Sequence, residues 1–173
     1  MPPVFSPIRG AQGLPMSNPS VLCVASLLGS LQVFKEAGMV GRLRVRSIEL
    51  TAHLEELLVQ SAYFVPPHEA AMRIPLCNGS TDSTQYRRPA FTIITPSDVN
   101  SRGSQLSLLF FSSDTKLMHK VLDGLRSYGV IGDERHPNVI RLTPIALYNT
   151  IQDCDNGAKY LEEVLKALDI RRI

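Results

Sequence analysis

The residues whose types and setting could do chemistry are Arg141 and the pair Ser17 and Asn18. Arg141 lies in the run Pro137-Asn-Val-Ile-Arg-Leu-Thr-Pro-Ile-Ala-Leu-Tyr-Asn149, flanked by Ile140 and Leu142 in an apolar strand. An arginine there either points from the exposed face of a sheet or holds an anion in a cleft. Its planar fork of N–H donors can grip a carboxylate through two bonds, which a lysine cannot do. Ser17-Asn18-Pro19 stands at the mouth of a predicted apolar helix. A helix N-terminus offers free N–H groups and a positive dipole end, which suits a phosphate or carboxylate. Asn18 can equally be a plain N-cap. Pattern alone leaves both pairs of readings open.

Self-contained catalytic signatures are missing. The sequence has no HExxH, P-loop or GxGxxG motif, and no Ser/His/Asp spacing in a strand–turn–helix context. His53, His68, His119 and His136 are not spaced as metal ligands usually are. His53 and His119 fall in predicted helices, His68 in a long loop and His136 in a turn before Pro137. Cys23, Cys77 and Cys154 are far apart and odd in number, with no CxxC spacing. Cys23 sits in an apolar run and reads as a buried thiol. Such cysteine usage suits a reducing compartment, so the expected setting is cytoplasmic.

These groups need a frame. The 173 residues suffice for one well-packed domain, and 44% hydrophobic with 20% charged residues is an ordinary globular mixture. A net charge of +2 argues for neither nucleic acid nor acidic partners. Arg42, Arg44 and Arg46 alternate with apolar residues and read as a solvated helix face. No apolar run reaches the roughly 18 residues of a membrane span.

Residues 1–17 carry four prolines and two glycines and read as an extended lead-in to a domain covering 18–173. A helix is predicted from Asn18-Pro19, with Asn18 as N-cap and Gly38 as C-cap. Val21, Leu22, Val24, Ala25, Leu28, Leu31 and Phe34 cover much of its circumference, so it should be buried on several sides. A second helix runs from about Gly41 to Gln60, where Leu43, Ser47, Leu50, Leu54, Leu57 and Leu58 recur at helical spacing. Residues 62–88 lose periodicity and read as a variable surface loop. Strands follow at Ala90–Thr95 and Gln105–Phe111, as a hairpin around 98–103. Asp114 can cap a helix bearing Leu117, Met118, Val121, Leu122 and Leu125, which stops at Gly129. Short strands at Val130–Asp133 and Asn138–Leu142 precede a last helix from Thr150 to Leu168. The order describes an α+β domain, with a small, mostly antiparallel sheet and helices on one face, preceded by a long buried helix.

Several segments, in this order, resemble kynureninases. They are Met16-Ser-Asn-Pro-Ser20, Ser26–Met39, Ser47–Leu54, Ile94–Asp98, Arg102-Gly-Ser-Gln-Leu-Ser107 and Gly129–Asn149. The resemblance covers nearly the whole chain, weakest in the 62–88 loop, and Asn138–Asn149 after Arg102–Ser107 is its most specific part.

The resemblance implies the C-terminal, small-domain portion of a fold-type-I pyridoxal-phosphate enzyme. The family's members are homodimers that hydrolyse kynurenine or 3-hydroxykynurenine to anthranilate or 3-hydroxyanthranilate plus alanine, in tryptophan catabolism and NAD biosynthesis. It assigns Asn18 to the cofactor and substrate site, Ser17 to the substrate side, and Arg141 to the substrate α-carboxylate. In the family, the large domain supplies the lysine that anchors the cofactor, within a Ser-Tyr-Lys-type motif. Lys35, Lys116, Lys120, Lys159 and Lys166 match no such motif. The expectation is therefore a chain that supplies binding and orientation to a large-domain partner or intact subunit, and catalyses nothing alone. The alternative is a non-catalytic fragment, or a module that dimerises with an intact enzyme.

Overall fold

A computed structural model describes residues 6–13, 17–73, 88–112 and 114–170. It divides into two compact units, Met1–Arg42 and Leu43–Ile173.

The first unit holds a 3-10 turn at Ala11–Gly13 and the helix α1, Val21–Glu36. The helix starts later than Asn18-Pro19 predicts. Ser20 is the N-cap, with an extended ψ of 124°, and its carbonyl accepts the first helical N–H from Val24 at 3.1 Å. Pro19 biases Asn18 away from helical backbone, which fits a start beyond it. At the other end, Ala37 is the C-cap and Gly38 follows with φ of +89°, a conformation that a glycine adopts without strain. The expectation of a buried helix is overturned: α1 contains no buried residue. Its apolar side chains are exposed, Leu22 by 79%, and the Cys23 thiol is exposed with them. The sequence reads correctly as apolar all round; what it cannot show is whether the surfaces that would cover it are present.

The second unit is an α+β layer. The helix α2 spans Met39–Val59, and the unit division falls within it. Four strands follow: β1 at Ala90–Ile93, β2 at Leu106–Phe111, β3 at Asp133–Arg135 and β4 at Val139–Leu142. They form one antiparallel sheet in the order β1-β2-β4-β3. Alternation in β2 turns Leu106, Leu108 and Phe110 to one face, where Phe91, Ile93, Ile140 and Leu142 join them. Three helices cover that face. Leu50, Leu54 and Leu58 come from α2; Leu117, Met118, Val121, Leu122 and Leu125 come from α4, Leu117–Ser127; Leu161, Val164 and Leu165 come from α5, Ile151–Ile170.

Part of the predicted 62–88 loop is ordered. Phe64 bridges to Phe91, and a short helix α3, Pro67–Arg73, packs Ala70 near Ala90 and Phe111 on the other face of the sheet. Residues 74–87, Cys77 among them, lie outside the described residues.

The third strand also differs from expectation. Gly129 has φ of +79°; its N–H donates to Arg126 O, and the Val130 N–H donates to Leu125 O, both at 3.0 Å. This is a Schellman cap, so Val130 finishes α4 instead of opening a strand. Pairing begins only at Asp133, and the edge strand is the charged triplet Asp-Glu-Arg.

The basic run is not simply solvated. Arg44 donates to Val99 O and, at 3.1 Å, to Arg102 O, while Arg46 donates to Asn149 O at 2.8 Å. Arg102, only 3% exposed, pairs with Glu55 at 2.5 Å. The Arg44 and Arg102 bonds fasten the 96–104 turn to α2, and the Arg46 bond ties α2 to the stretch before α5.

Candidate functional site

Arg141 owes its placement to strand alternation. Ile140 and Leu142 turn to the helix-covered face, so Arg141 turns to the other. Its cross-strand neighbours there are Ser107 of β2 and Asp133 of β3. Arg141 Nη2 donates to Asp133 Oδ2, and Arg135 Nη1 donates to Asp133 Oδ1 at 2.8 Å. The hydrogen bond from Arg141 is the largest influence on the Asp133 carboxyl, and with Arg135 it holds that group below the usual carboxylate range.

The Arg141 side chain is 26% exposed, yet its Nε–H is buried and has no hydrogen-bond partner among the described residues. Leaving a donor buried and unpaired costs roughly 1–3 kcal/mol, more when it is charged. An acceptor brought in by a ligand would recover that cost. Arg141 is thus neither of the two simple cases that the sequence leaves open: it lies off the core face and is partly buried, with one edge paired and one edge unfilled.

The cleft beside it has a volume of about 710 Å³ and is bounded by the stretch after β4, the start of α5 and the end of α4. Each boundary has a local cause. Asn149 folds the stretch after β4 back on itself: its side-chain oxygen accepts the Ile145 N–H and its own N–H donates to Ile145 O, both at 2.8 Å. Arg46 then ties the Asn149 carbonyl to α2. A capping box opens α5, as its predicted start near Thr150 requires. Thr150 N–H donates to Asp153 Oδ2 at 2.8 Å, and Asp153 N–H donates to Thr150 Oγ1 at 3.2 Å. The backbone bond from Thr150 is the main reason that the Asp153 carboxyl sits below its usual range. At the rim, the Tyr128 and Tyr160 rings stack with centroids 4.6 Å apart and planes 8° from parallel.

No lysine is among the residues lining this cleft. Its described residues therefore fit an anionic ligand end and not the covalent holding of an aldehyde cofactor. Ser17 and Asn18 are exposed and belong to the first unit, whereas Arg141 belongs to the second. Among the described residues, no group of three or more His, Cys, Asp or Glu is placed to hold a metal ion. His53 pairs with Asp155 at 2.6 Å, and the exposed His119 and His136 rings lie 5.7 Å apart.

Sequence reasoning singles out Arg141 and misses Asp133, Arg135 and Arg46. The signal for Asp133 was present: it and Arg141 are equidistant from Pro137, at the centre of the turn joining β3 to β4. A hairpin centred there must set them opposite one another.

Residues 76–161 match the model of the kynureninase C-terminal domain. The chain is 46% identical over 165 residues to a kynureninase of Yarrowia lipolytica, covering 95% of this chain and 35% of that protein. It is 43% identical to a kynureninase of Eremothecium gossypii, covering 95% and 34%. Against a kynureninase of Saccharomyces cerevisiae it is 41% identical, again covering 95% and 34%. The chain thus spans about a third of the length of these relatives.

Proposed function

Because this chain belongs to the kynureninase family, within the C-terminal third of its members, we propose that it supplies the substrate-carboxylate site of a kynureninase-type hydrolase. The reaction is the hydrolysis of kynurenine or 3-hydroxykynurenine between Cβ and Cγ, which yields anthranilate or 3-hydroxyanthranilate plus alanine. Its place is cytoplasmic tryptophan catabolism leading towards NAD. One observation carries the reading: Arg141 stands at a cleft with a buried Nε–H that has no partner among the described residues. That edge can take one oxygen of an α-carboxylate and Nη2 the other.

Pyridoxal phosphate supplies the electron sink for such a cleavage. The cleft offers it no amine, so the reading gives the cofactor's covalent anchor to a large domain, as one chain or as a partner, in an enzyme that works as a homodimer. Asn18 is assigned to the cofactor and substrate side, and Ser17 to the substrate side, on the strength of the Met16–Ser20 match. Arg141 fixes the substrate's carboxylate end, and Arg46 and Asn149 hold the wall against which it is fixed. Alone, the chain binds and orients without reacting.

The test joins this chain to the remaining N-terminal portion of the Yarrowia lipolytica kynureninase and follows anthranilate release. Turnover should appear only in the joined protein. Arg141→Ala should raise KM for kynurenine by about 10- to 100-fold, since hydrogen bonds to charged groups are worth roughly 1.5–3 kcal/mol. An unchanged KM would remove Arg141 from the site. The second reading, a non-catalytic interaction module, is favoured by the exposed apolar surface of α1; it requires that the joined protein stay inactive.

A further inference from the structure

We propose that Asp133 is a stand-in for the ligand's carboxylate: it occupies Arg141 in the empty cleft and, on binding, hands the guanidinium over while keeping Arg135 as its own counter-charge. The inference rests on Arg141 being a carboxylate site and adds a residue that tunes its affinity.

Three observations lead to it. First, the β3–β4 register sets Asp133 directly across from Arg141, so their pairing is a product of the hairpin and not of a flexible surface encounter. Second, the pairing is incomplete. Asp133 Oδ2 takes Arg141 Nη2, while Arg141 Nε remains buried and without a partner among the described residues. In an arginine, Nε–H and the neighbouring Nη–H form the side fork that grips a carboxylate with both oxygens. Asp133 uses half of that fork, and a ligand able to use both halves has an advantage over it. Third, Asp133 has somewhere to go. Its side chain is 51% exposed, against 26% for Arg141, and its other oxygen already accepts from Arg135 Nη1 at 2.8 Å. Release from Arg141 therefore strands no buried charge. Ser107, across from Arg141 on β2, brings no competing charge.

The competition has a definite sign. If Asp133 merely held Arg141 in place, removing its charge would loosen the arginine and weaken binding. If it competes, removing its charge frees the fork and tightens binding. The Asp133 side of the pair is half-exposed and screened by solvent, so the gain should be modest, roughly two- to fivefold in Kd. Arg135→Gln should act in the opposite direction, because Asp133 would then have only Arg141. In the double variant Asp133→Asn/Arg135→Gln, the Arg135 effect should vanish.

The experiment titrates L-kynurenine into the full 173-residue chain, labelled with nitrogen-15, and follows the Arg141 Nε–H resonance. The variants are Asp133→Asn, Asp133→Glu, Arg135→Gln, the double variant and Arg141→Ala, the last followed through backbone resonances of β4. The expected order of affinity is Asp133→Asn above the wild-type chain, Asp133→Glu near it and Arg135→Gln below it. Weaker or unchanged binding by Asp133→Asn, with Arg141→Ala still abolishing binding, overturns the stand-in role alone. Equal binding by Arg141→Ala and wild type overturns the carboxylate site itself, and the stand-in with it. No response in any protein up to the solubility of the ligand likewise rejects both.

Discussion

At the scale of single residues, two cysteines take places opposite to what their sequence neighbours suggest. Cys23 sits in an apolar run and reads as a buried thiol, whereas Cys154 lies between Asp153 and Asp155 and does not. Cys154 is the buried one: it packs in the core, its Sγ lies 3.6 Å from Leu50 O, and burial pushes its pKa from an ordinary 9.0 up to about 11. Cys23 is exposed on α1. Peptide mapping after brief treatment of the native chain with iodoacetamide should therefore find Cys23 modified and Cys154 intact. Cys154 should react once urea unfolds the chain; modification of both at equal rates in the native state would contradict this placement. The raised pKa also has a sign for stability. The folded state favours the neutral thiol, so the contribution of Cys154 is complete below about pH 9 and is lost as pH rises towards 11. Denaturant midpoints taken across that window should fall, and should fall less in Cys154→Ser. Arg141 was legible because an arginine between Ile140 and Leu142 conflicts with an apolar strand. Asp133 carried no such local conflict, and its only signal was its symmetry with Arg141 about Pro137.

At the scale of elements, legibility followed periodicity. All five apolar residues predicted for α4 are buried, since Leu117, Met118, Val121, Leu122 and Leu125 repeat at the helical period and the rest of the helix is polar. The outer strands were less legible: β3 is three charged residues with no alternation to read. Nor does periodicity report how closely two helices approach. At Gly124 in α4, an added Cβ would lie 2.6 Å from Val164 Cγ1 and 2.8 Å from Cγ2 on α5. A helical valine has one strongly preferred χ1, so Val164 cannot swing clear. Helix propensity favours alanine over glycine by about 1 kcal/mol, but the collision opposes it with a typical overpacking cost of about 1–3 kcal/mol. Gly124→Ala should lower stability in urea denaturation, by up to about 2 kcal/mol on that balance. In Gly124→Ala/Val164→Ala the collision is absent, so the double variant should be more stable than the two single losses added together. Gly124→Ala at least as stable as the wild-type chain would show that α4 and α5 can part at little cost.

At the scale of the whole molecule, the main conflict is between α1 and its surroundings. Val21, Leu22, Val24, Leu27, Leu28, Leu31 and Val33 are all exposed, along one 16-residue helix with apolar residues on every side. Soluble monomers rarely expose a contiguous apolar surface of more than a few hundred Å². The relatives are about three times as long as the match, and under the proposed function a large domain covers what α1 leaves open. The 173-residue chain by itself should then bind an apolar dye such as ANS and associate as its concentration rises in light scattering. Leu27→Glu/Leu31→Glu should suppress both, because charge on the helix opposes burial against a second apolar surface. The same double substitution in the joined protein should prevent the α1 surface from being covered and so reduce soluble, active enzyme. That contrast separates a docking helix from a merely sticky one: a sticky helix would improve the behaviour of both proteins when charged. A chain that stays monomeric at high concentration and binds no dye would mean that α1 is covered by other means, and the large-domain docking would lose its physical basis.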